Sequence, residues 1–200
     1  LTEYQAKNGK DEAKRLVRIT FTFIMIFVGL ICLIGVIFAP SIVTAIAPGF
    51  LNMPDKFSLT VLLTRVMFPF LLFISLAALI MGALNSRRVF FIPALAPAML
   101  NVSIIVTVIS LASKMEQPII AVAIGVALGG FVQFAFQIPS FLKNGYSLKP
   151  EYDFRHPGLK KMSILMLPAT MGMAVAQINI FISTILASYL AAGSITYLYY

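Results

Sequence analysis

The sequence has 200 residues, of which 60% are hydrophobic and 11% charged, and its formal net charge is +8. Soluble globular proteins carry about 25% charged residues, so this composition excludes a soluble domain and predicts a polytopic membrane protein. The excess of basic residues does not indicate a nucleic-acid partner, because these residues lie in short connectors between apolar segments. The chain begins with leucine and stops within an apolar run, so we expect it to be an internal piece of a longer protein.

Five apolar segments are long enough to be membrane helices, since about 20 residues cross the hydrocarbon core of a bilayer. The predicted fold class is therefore all-α, a transmembrane helical bundle with five full spans and the start of a sixth. A basic segment precedes the first span, and a polar linker separates the fourth span from the fifth. The predicted divisions are 1–18 (basic segment), 19–47, 59–84, 89–112 and 118–142 (spans one to four), 143–161 (linker) and 162–200 (the fifth span and the start of the sixth).

The distribution of lysine and arginine predicts the orientation. Twelve of the 15 basic residues lie in residues 1–18, 85–88 and 143–161, which alternate with connectors that carry only Lys56 and Lys114. Connectors on the cytoplasmic side of a membrane protein are enriched in lysine and arginine. We therefore expect the basic segment and the linker to face the cytoplasm.

The second span carries an arginine, Arg65, and a proline, Pro69, one helical turn apart. An arginine at the centre of a membrane helix costs roughly 2.5 kcal/mol or more, and less near its end. Two interpretations stay open: Arg65 extends to the outer headgroups, or it turns inward as a cationic contact for an anionic substrate. Prolines within spans are typical of the bent helices of transporters, and those predicted to kink helices are Pro69, Pro93, Pro97 and Pro168.

Polar side chains within the later spans are candidates for a cavity lining or for hydrogen bonds between helices. Gln133 and Gln137 lie one turn apart, whereas Gln177 and Asn179 point to different sides of their helix, so at most one of the latter pair lines a cavity. We interpret His156, the only histidine, as a solvated linker residue.

No pattern in the sequence indicates an enzyme or a metal site. The seven acidic residues all lie in connectors, and metal sites need clustered histidine, cysteine or carboxylate ligands. The signatures of zinc proteases, serine hydrolases and nucleotide-binding glycine loops are missing from these 200 residues. We therefore predict a protein that is not an enzyme and has no metal ligands in this chain.

Six runs of the sequence resemble the MurJ (MviN) family of bacterial lipid II flippases, a branch of the MOP superfamily. They are APGF (47–50), DKFSLT (55–60), RVMFPFLLFISLAALIMGALNS (65–86), FFIPALAPAMLN (90–101), LGGFVQFAFQIP (128–139) and ILASYLAAGSITYLYY (185–200). The resemblance implies two helical lobes around a central cationic cavity. Residues 19–142 would be the third to sixth helices, 143–161 the cytoplasmic connection between lobes, and 162–200 the seventh helix and the beginning of the eighth.

The resemblance also implies a function, which is to move lipid II, the undecaprenyl-diphosphate-linked peptidoglycan precursor, across the bacterial inner membrane by alternating access. The implied partners are lipid II and membrane lipids, with no nucleic acid. Thr196 stands where the family commonly has a small hydroxyl residue lining the cavity. Some members bind sodium through an aspartate of the seventh helix, which has no acidic residue here. We expect no cofactor, and coupling to the membrane potential or to a monovalent cation stays open.

Other functions also stay open at this point. The alternative transporters are a MATE-like cation-coupled exporter and another polysaccharide-lipid flippase of the same superfamily. An exporter of that kind predicts a carboxylate within the membrane, and the spans contain none. A non-transporting membrane scaffold predicts helix faces that lack polar residues and prolines.

Overall fold

The computed structural model describes residues 2–189, which form seven α-helices and two short 3₁₀ helices, with no β-strand in that range. The prediction of an all-α membrane bundle is confirmed, because five of the helices are long and apolar enough to span a bilayer. The helices are α1 (Thr2–Asn8), α2 (Lys10–Ile37), α3 (Ala39–Ile46), α4 (Pro54–Ser86), α5 (Phe91–Leu111), α6 (Ile119–Lys143) and α7 (Pro157–Ser188), with 3₁₀ helices at Pro48–Asn52 and Ala112–Lys114.

The first predicted span, 19–47, is two helices instead of one. Helix α2 starts early, at Lys10, where Asp11 and Glu12 occupy its first turn and interact favourably with the positive end of the helix dipole. It ends at Ile37, because Pro40 has no N–H to donate to the carbonyl one turn before it. The chain restarts as α3, with Pro40 in its first turn, where a proline is well tolerated.

Helix α6 packs against both α4 and α5 through glycines. A Cβ atom at Gly129 would lie 3.0 Å from the backbone oxygen of Leu100 in α5, and one at Gly125 would lie 3.0 Å from the Cα of Ile104. On the side that faces α4, Gly130 accommodates the ring of Phe70 and the Cβ of Phe73. Helices associate in lipid through small residues that let their backbones approach closely, so these glycines position α6.

The main core lies near the end of the bundle that carries the basic segment. Helices α2, α4 and α6 contribute large buried side chains here. Tyr146, which follows α6, joins the core by stacking on Phe141, with ring centroids 4.9 Å apart. The Tyr146 hydroxyl donates to the backbone oxygen of Ala83 at 3.2 Å. The other fully buried members include Leu76, Ile80 and Leu84.

Helix α7 stands beside this bundle and exposes most of its apolar side chains. Its N-terminal part packs against α2 through Leu159, which forms a small cluster with Leu16 and Ile19. Further along, it lies beside α3 and the 3₁₀ helix that follows. The linker is therefore shorter than predicted and covers residues 144–156, because α7 begins at Pro157 with a proline in its first turn.

Candidate functional site

Arg65 fastens α4 to the end of α2. Its Nε donates a hydrogen bond to the backbone oxygen of Val36 at 3.2 Å. Val36 lies four residues before Pro40, so this oxygen lacks its usual α-helical donor, the backbone N–H four residues later. The side chain of Arg65 therefore supplies the donor that Pro40 lacks, a role that neither sequence interpretation of Arg65 contained. Its guanidinium is exposed and carries further donors, so a substrate contact stays a prediction.

Pro69 lies inside α4, where α2 crosses closely. The carbonyl that this proline leaves without a helical donor belongs to Arg65, four residues earlier. At the crossing, the Cys32 thiol donates to the backbone oxygen of Phe68 at 3.2 Å, and the Phe68 ring occupies the space that a Cβ at Gly35 would need. Helix α4 is thus held against α2 by two contacts at Phe68, the residue directly before Pro69.

The other predicted kink positions differ in their setting. Pro97 and Pro168 lie inside α5 and α7, where each removes one backbone hydrogen bond. Pro93 is the third residue of α5, and its missing N–H there costs no helical bond, so it favours the start of the helix. Pro139 lies inside α6 and was not among the predicted kinks, although it is visible in the sequence.

Gln177 lines an open groove of about 500 Å³ between the end of α3 and α7, together with Ile46, Phe181 and Thr184. Asn179 is exposed and does not line this groove, which agrees with the different directions of the two side chains. Arg65 does not line it either, so the groove and the end of α2 are separate places. Thr196 lies outside the described residues.

The two glutamines of α6 are almost fully buried, with Gln137 only 1% exposed. Gln137 donates its Nε2 to the backbone oxygen of Gln133 at 3.2 Å, a bond within the helix and not between helices. The Oε1 atoms of both side chains have no hydrogen-bond partner in the part of the chain that the structure describes. Buried amide oxygens of this kind are the usual places for an ordered water.

An ion-pair network joins the linker to α2. Arg15 donates to Glu151 at 2.7 Å and to Asp153 at 3.0 Å, and Arg18 donates to the other oxygen of Glu151 at 2.8 Å. The backbone N–H of Glu151 also donates to the Thr22 hydroxyl at 2.9 Å. We call residues 146–156 the strap, because these bonds and Tyr146 fix the segment along the cytoplasmic end of the bundle that the charge pattern predicts.

The Arg15 guanidinium, with Arg18 beside it, lowers the pKa of the Glu151 carboxyl below its ordinary value against the opposing effect of desolvation. A carboxyl with a lowered pKa in the folded state stabilises that state at every pH above its ordinary titration range. This stabilisation is lost as the pH falls through the lowered pKa. At neutral pH the strap is therefore held by an ionised Glu151.

The structure corrects the interpretation of His156, which is not a solvated linker residue. The side chain is 5% exposed, and its Nδ1 accepts a hydrogen bond from the backbone N–H of Gly158 at 3.1 Å, as the N-cap of α7. Because Nδ1 accepts, Nε2 carries the proton and donates to Glu12 at 2.8 Å. One side chain thus caps α7 and joins it to the first turn of α2.

We expect His156→Ala to destabilise the fold by about 1–2 kcal/mol, because the α7 N-cap and the partner of Glu12 are both lost. His156→Asn is the matched variant, since asparagine caps a helix well and should recover most of the capping contribution. Thermal unfolding of the purified protein in detergent measures both. Equal melting temperatures for wild type and His156→Ala would contradict the capping role.

A family model described as "Lipid II flippase MurJ" matches residues 1–200. The chain belongs to the MurJ family. Similar relatives are named "Probable lipid II flippase MurJ" in Vibrio cholerae, 36% identical, and "Lipid II flippase MurJ" in Burkholderia cenocepacia, 35% identical; each match covers the whole chain. A third, also named "Probable lipid II flippase MurJ", is from Haemophilus influenzae and is 33% identical over the whole chain. The chain spans about two fifths of the length of these curated relatives, 39–41%.

Membership in the MurJ family confirms the resemblance found in the sequence. With five helices of membrane-spanning length, the chain is a multi-pass protein of the bacterial inner membrane. Its relatives are named for lipid transport and not for catalysis, in agreement with the prediction that it is not an enzyme. Among the described residues, no three histidine, cysteine or acidic side chains come together as a metal site would need.

Proposed function

We propose that this chain is part of a lipid II flippase, which moves the undecaprenyl-diphosphate-linked precursor from the cytoplasmic to the outer leaflet of the inner membrane. The observation that carries the proposal is the match of the MurJ family model to all 200 residues. Helices α2 to α6 would form most of the first lobe, the strap would connect the lobes, and α7 would begin the second lobe.

The physical difficulty for such a protein is the head of its substrate. Moving a diphosphate into hydrocarbon with its charges unpaired costs a prohibitive amount of free energy. The diphosphate therefore needs a polar, cationic path. Arg65, Gln177, Asn179 and Thr196 are the candidates for this path within the chain. Helices with internal prolines, such as α4 and α7, suit lobes that rock to open the path to each side in turn.

We also propose an energy source for translocation. The membrane potential supplies about 2.3 kcal/mol per elementary charge per 100 mV, which is enough to bias a charged cavity between two states. A monovalent cation could serve instead. Translocation measured in vesicles with an imposed potential, with and without sodium, distinguishes the two sources.

The function is tested by reconstitution of the full-length protein that contains this chain into vesicles that carry fluorescent lipid II. We expect the labelled head to become accessible to an enzyme outside the vesicle only when the protein is present. A second test is rescue of growth in bacteria depleted of their own flippase. Failure in both, with protein that is folded and inserted, would contradict the proposal.

We expect Arg65→Ala to reduce lipid II translocation by about tenfold, because one charge-assisted contact to the diphosphate is lost. Arg65→Lys keeps the charge and a donor for the Val36 oxygen, so it should retain much of the activity. The exposed Lys114→Ala is the matched control on a connector. Melting temperatures are measured for the same variants, because loss of the bond to Val36 lowers the melting temperature whereas loss of a substrate contact does not. Full activity in both Arg65 variants would exclude the substrate contact.

A further inference from the structure

The strap has two chemically different faces. Glu151 and Asp153 bind the arginines of α2, whereas Tyr152 and Phe154, which alternate with them in sequence, are 68% and 43% exposed. Residues 151–153 are not helical and a turn follows at 154–155, so the bonds that hold Glu151 and Asp153 against α2 also determine where the two aromatic side chains lie. The network around Glu151 therefore fixes the backbone that carries two exposed aromatic side chains.

These aromatic side chains belong to a row of aromatic rings that extends along α2 into its membrane-spanning part. The Phe154 ring contacts Phe23 edge to face, with centroids 6.0 Å apart, and Phe23 stacks on Phe27 at 5.4 Å. Phe27 is itself 53% exposed on a helix of membrane-spanning length. At the other end of the row, the ring centroid of Tyr152 lies 6.3 Å from that of Phe154. The row thus runs from the apolar helix to the charged end of the bundle.

The strap also presents positive charge beside the aromatic pair. Lys149 and Arg155 are both exposed and lie on either side of the pair in sequence. Tyrosine and tryptophan are enriched where the bilayer meets water, and phenylalanine is found on the apolar faces of helices that bind there. The cytoplasmic leaflet attracts lysine and arginine through its anionic lipids. Aromatic and basic residues together at the charged end of a spanning helix match the chemistry of that boundary.

We propose that the outer face of the strap, made of Lys149, Tyr152, Phe154 and Arg155, binds the headgroup–acyl boundary of an anionic leaflet and so anchors the connection to α7 at the membrane surface. The lipid it takes is a phospholipid with an anionic headgroup. The inference needs the chain to lie in a membrane but does not need it to transport lipid II.

Tryptophan fluorescence can measure the depth of this face, because the 200 residues contain no tryptophan. Tyr152→Trp and Phe154→Trp are made separately in the full-length protein, and the spectrum of the unsubstituted protein is subtracted as background. The vesicles contain phosphatidylethanolamine and phosphatidylglycerol, with bromine either near the headgroup or near the end of the acyl chain. Lys10→Trp is the control at an exposed position outside the apolar run, and Leu30→Trp is the control on the exposed side of α2 in mid-span.

We expect the tryptophans at 152 and 154 to be quenched about twofold more by bromine near the headgroup than by bromine near the chain end. Leu30→Trp should show the reverse order, and Lys10→Trp should be quenched by neither but accessible to iodide in water. Quenching at 152 and 154 should weaken when phosphatidylglycerol is replaced by phosphatidylcholine. Iodide access at both positions equal to that of Lys10→Trp would overturn the proposal, as would shielding from both iodide and lipid bromine, which would indicate a protein partner instead.

Discussion

Gly129→Val is expected to separate α5 from α6 and to lower stability by about 3 kcal/mol, the upper range for overpacking. The added Cβ alone would lie 2.5 Å from the Cδ1 of Leu100 and 3.0 Å from its backbone oxygen. The Leu100 side chain can rotate, but its backbone oxygen is part of α5 and cannot move without the helix. The two helices must therefore move apart, and the contact at Gly125 one turn away loosens with them.

Gly82→Val is the matched control for this change. Gly82 lies in α4, also a membrane-spanning helix, but no heavy atom lies within 4 Å of the position that its Cβ would occupy. Melting temperature and monodisperse yield in detergent are compared for both variants and the wild type. Similar values for Gly129→Val and Gly82→Val would show that the close α5–α6 approach is not what holds α6.

The apolar pattern predicted the spanning helices because their existence depends on length and composition alone. Their ends were less predictable, since polar first turns extend beyond the hydrocarbon. Helix α4 starts at Pro54, before the predicted 59, because a proline and Asp55 both suit the first turn. The break between α2 and α3 at Phe38 could have been predicted, because Pro40 leaves the backbone carbonyl of Val36 without its usual helical donor.

The partners of the polar side chains could not be predicted, because they lie far apart in sequence. Arg65 and Val36 are 29 residues apart, and His156 and Glu12 are 144 apart. A histidine in a polar linker is most often exposed to water, and only the fold shows that His156 is buried at the N-terminus of α7. The sequence did contain a signal, because His156 directly precedes Pro157 and Gly158, a typical helix start, and the residue before a helix is its N-cap.

The candidate substrate path was the least predictable part. Gln177 was identified from its polarity within a span, and the structure gives it a groove beside α3. Polarity alone did not distinguish it from Gln133 and Gln137, which are buried inside the bundle. The distinction depends on which helix face is covered, and in α6 the glycines let α4 and α5 approach the face that carries Gln133 and Gln137. A polar residue in a span is a candidate for a path only once the packing around it is known.

Glu151→Arg is expected to release the strap and to lower stability by about 2 kcal/mol, because two charge-assisted bonds are replaced by repulsion. Glu151 accepts from both Arg15 and Arg18, so an arginine here would place three guanidinium groups together. Trypsin should then cleave faster after Arg155, as the strap leaves the bundle. Lys114→Glu, on an exposed connector, is the control for charge reversal itself.

Reversal of the partner charge separates the ion pair from simple loss of packing. Arg18 is bonded to Glu151 at 2.8 Å, so Glu151→Arg with Arg18→Glu restores one pair in the opposite sense, and we expect about half of the lost stability to return. Acidification provides the same test without substitution, since the melting temperature of the wild type should fall as the pH drops through the lowered pKa of Glu151, and that of Glu151→Arg should fall less. If the double variant is no more stable than the single one, and acid lowers the melting temperatures of the wild type and of Glu151→Arg equally, then apolar contacts alone hold the strap. In that case the N-terminus of α7 would be positioned by His156 and Leu159 without help from the charges of α2.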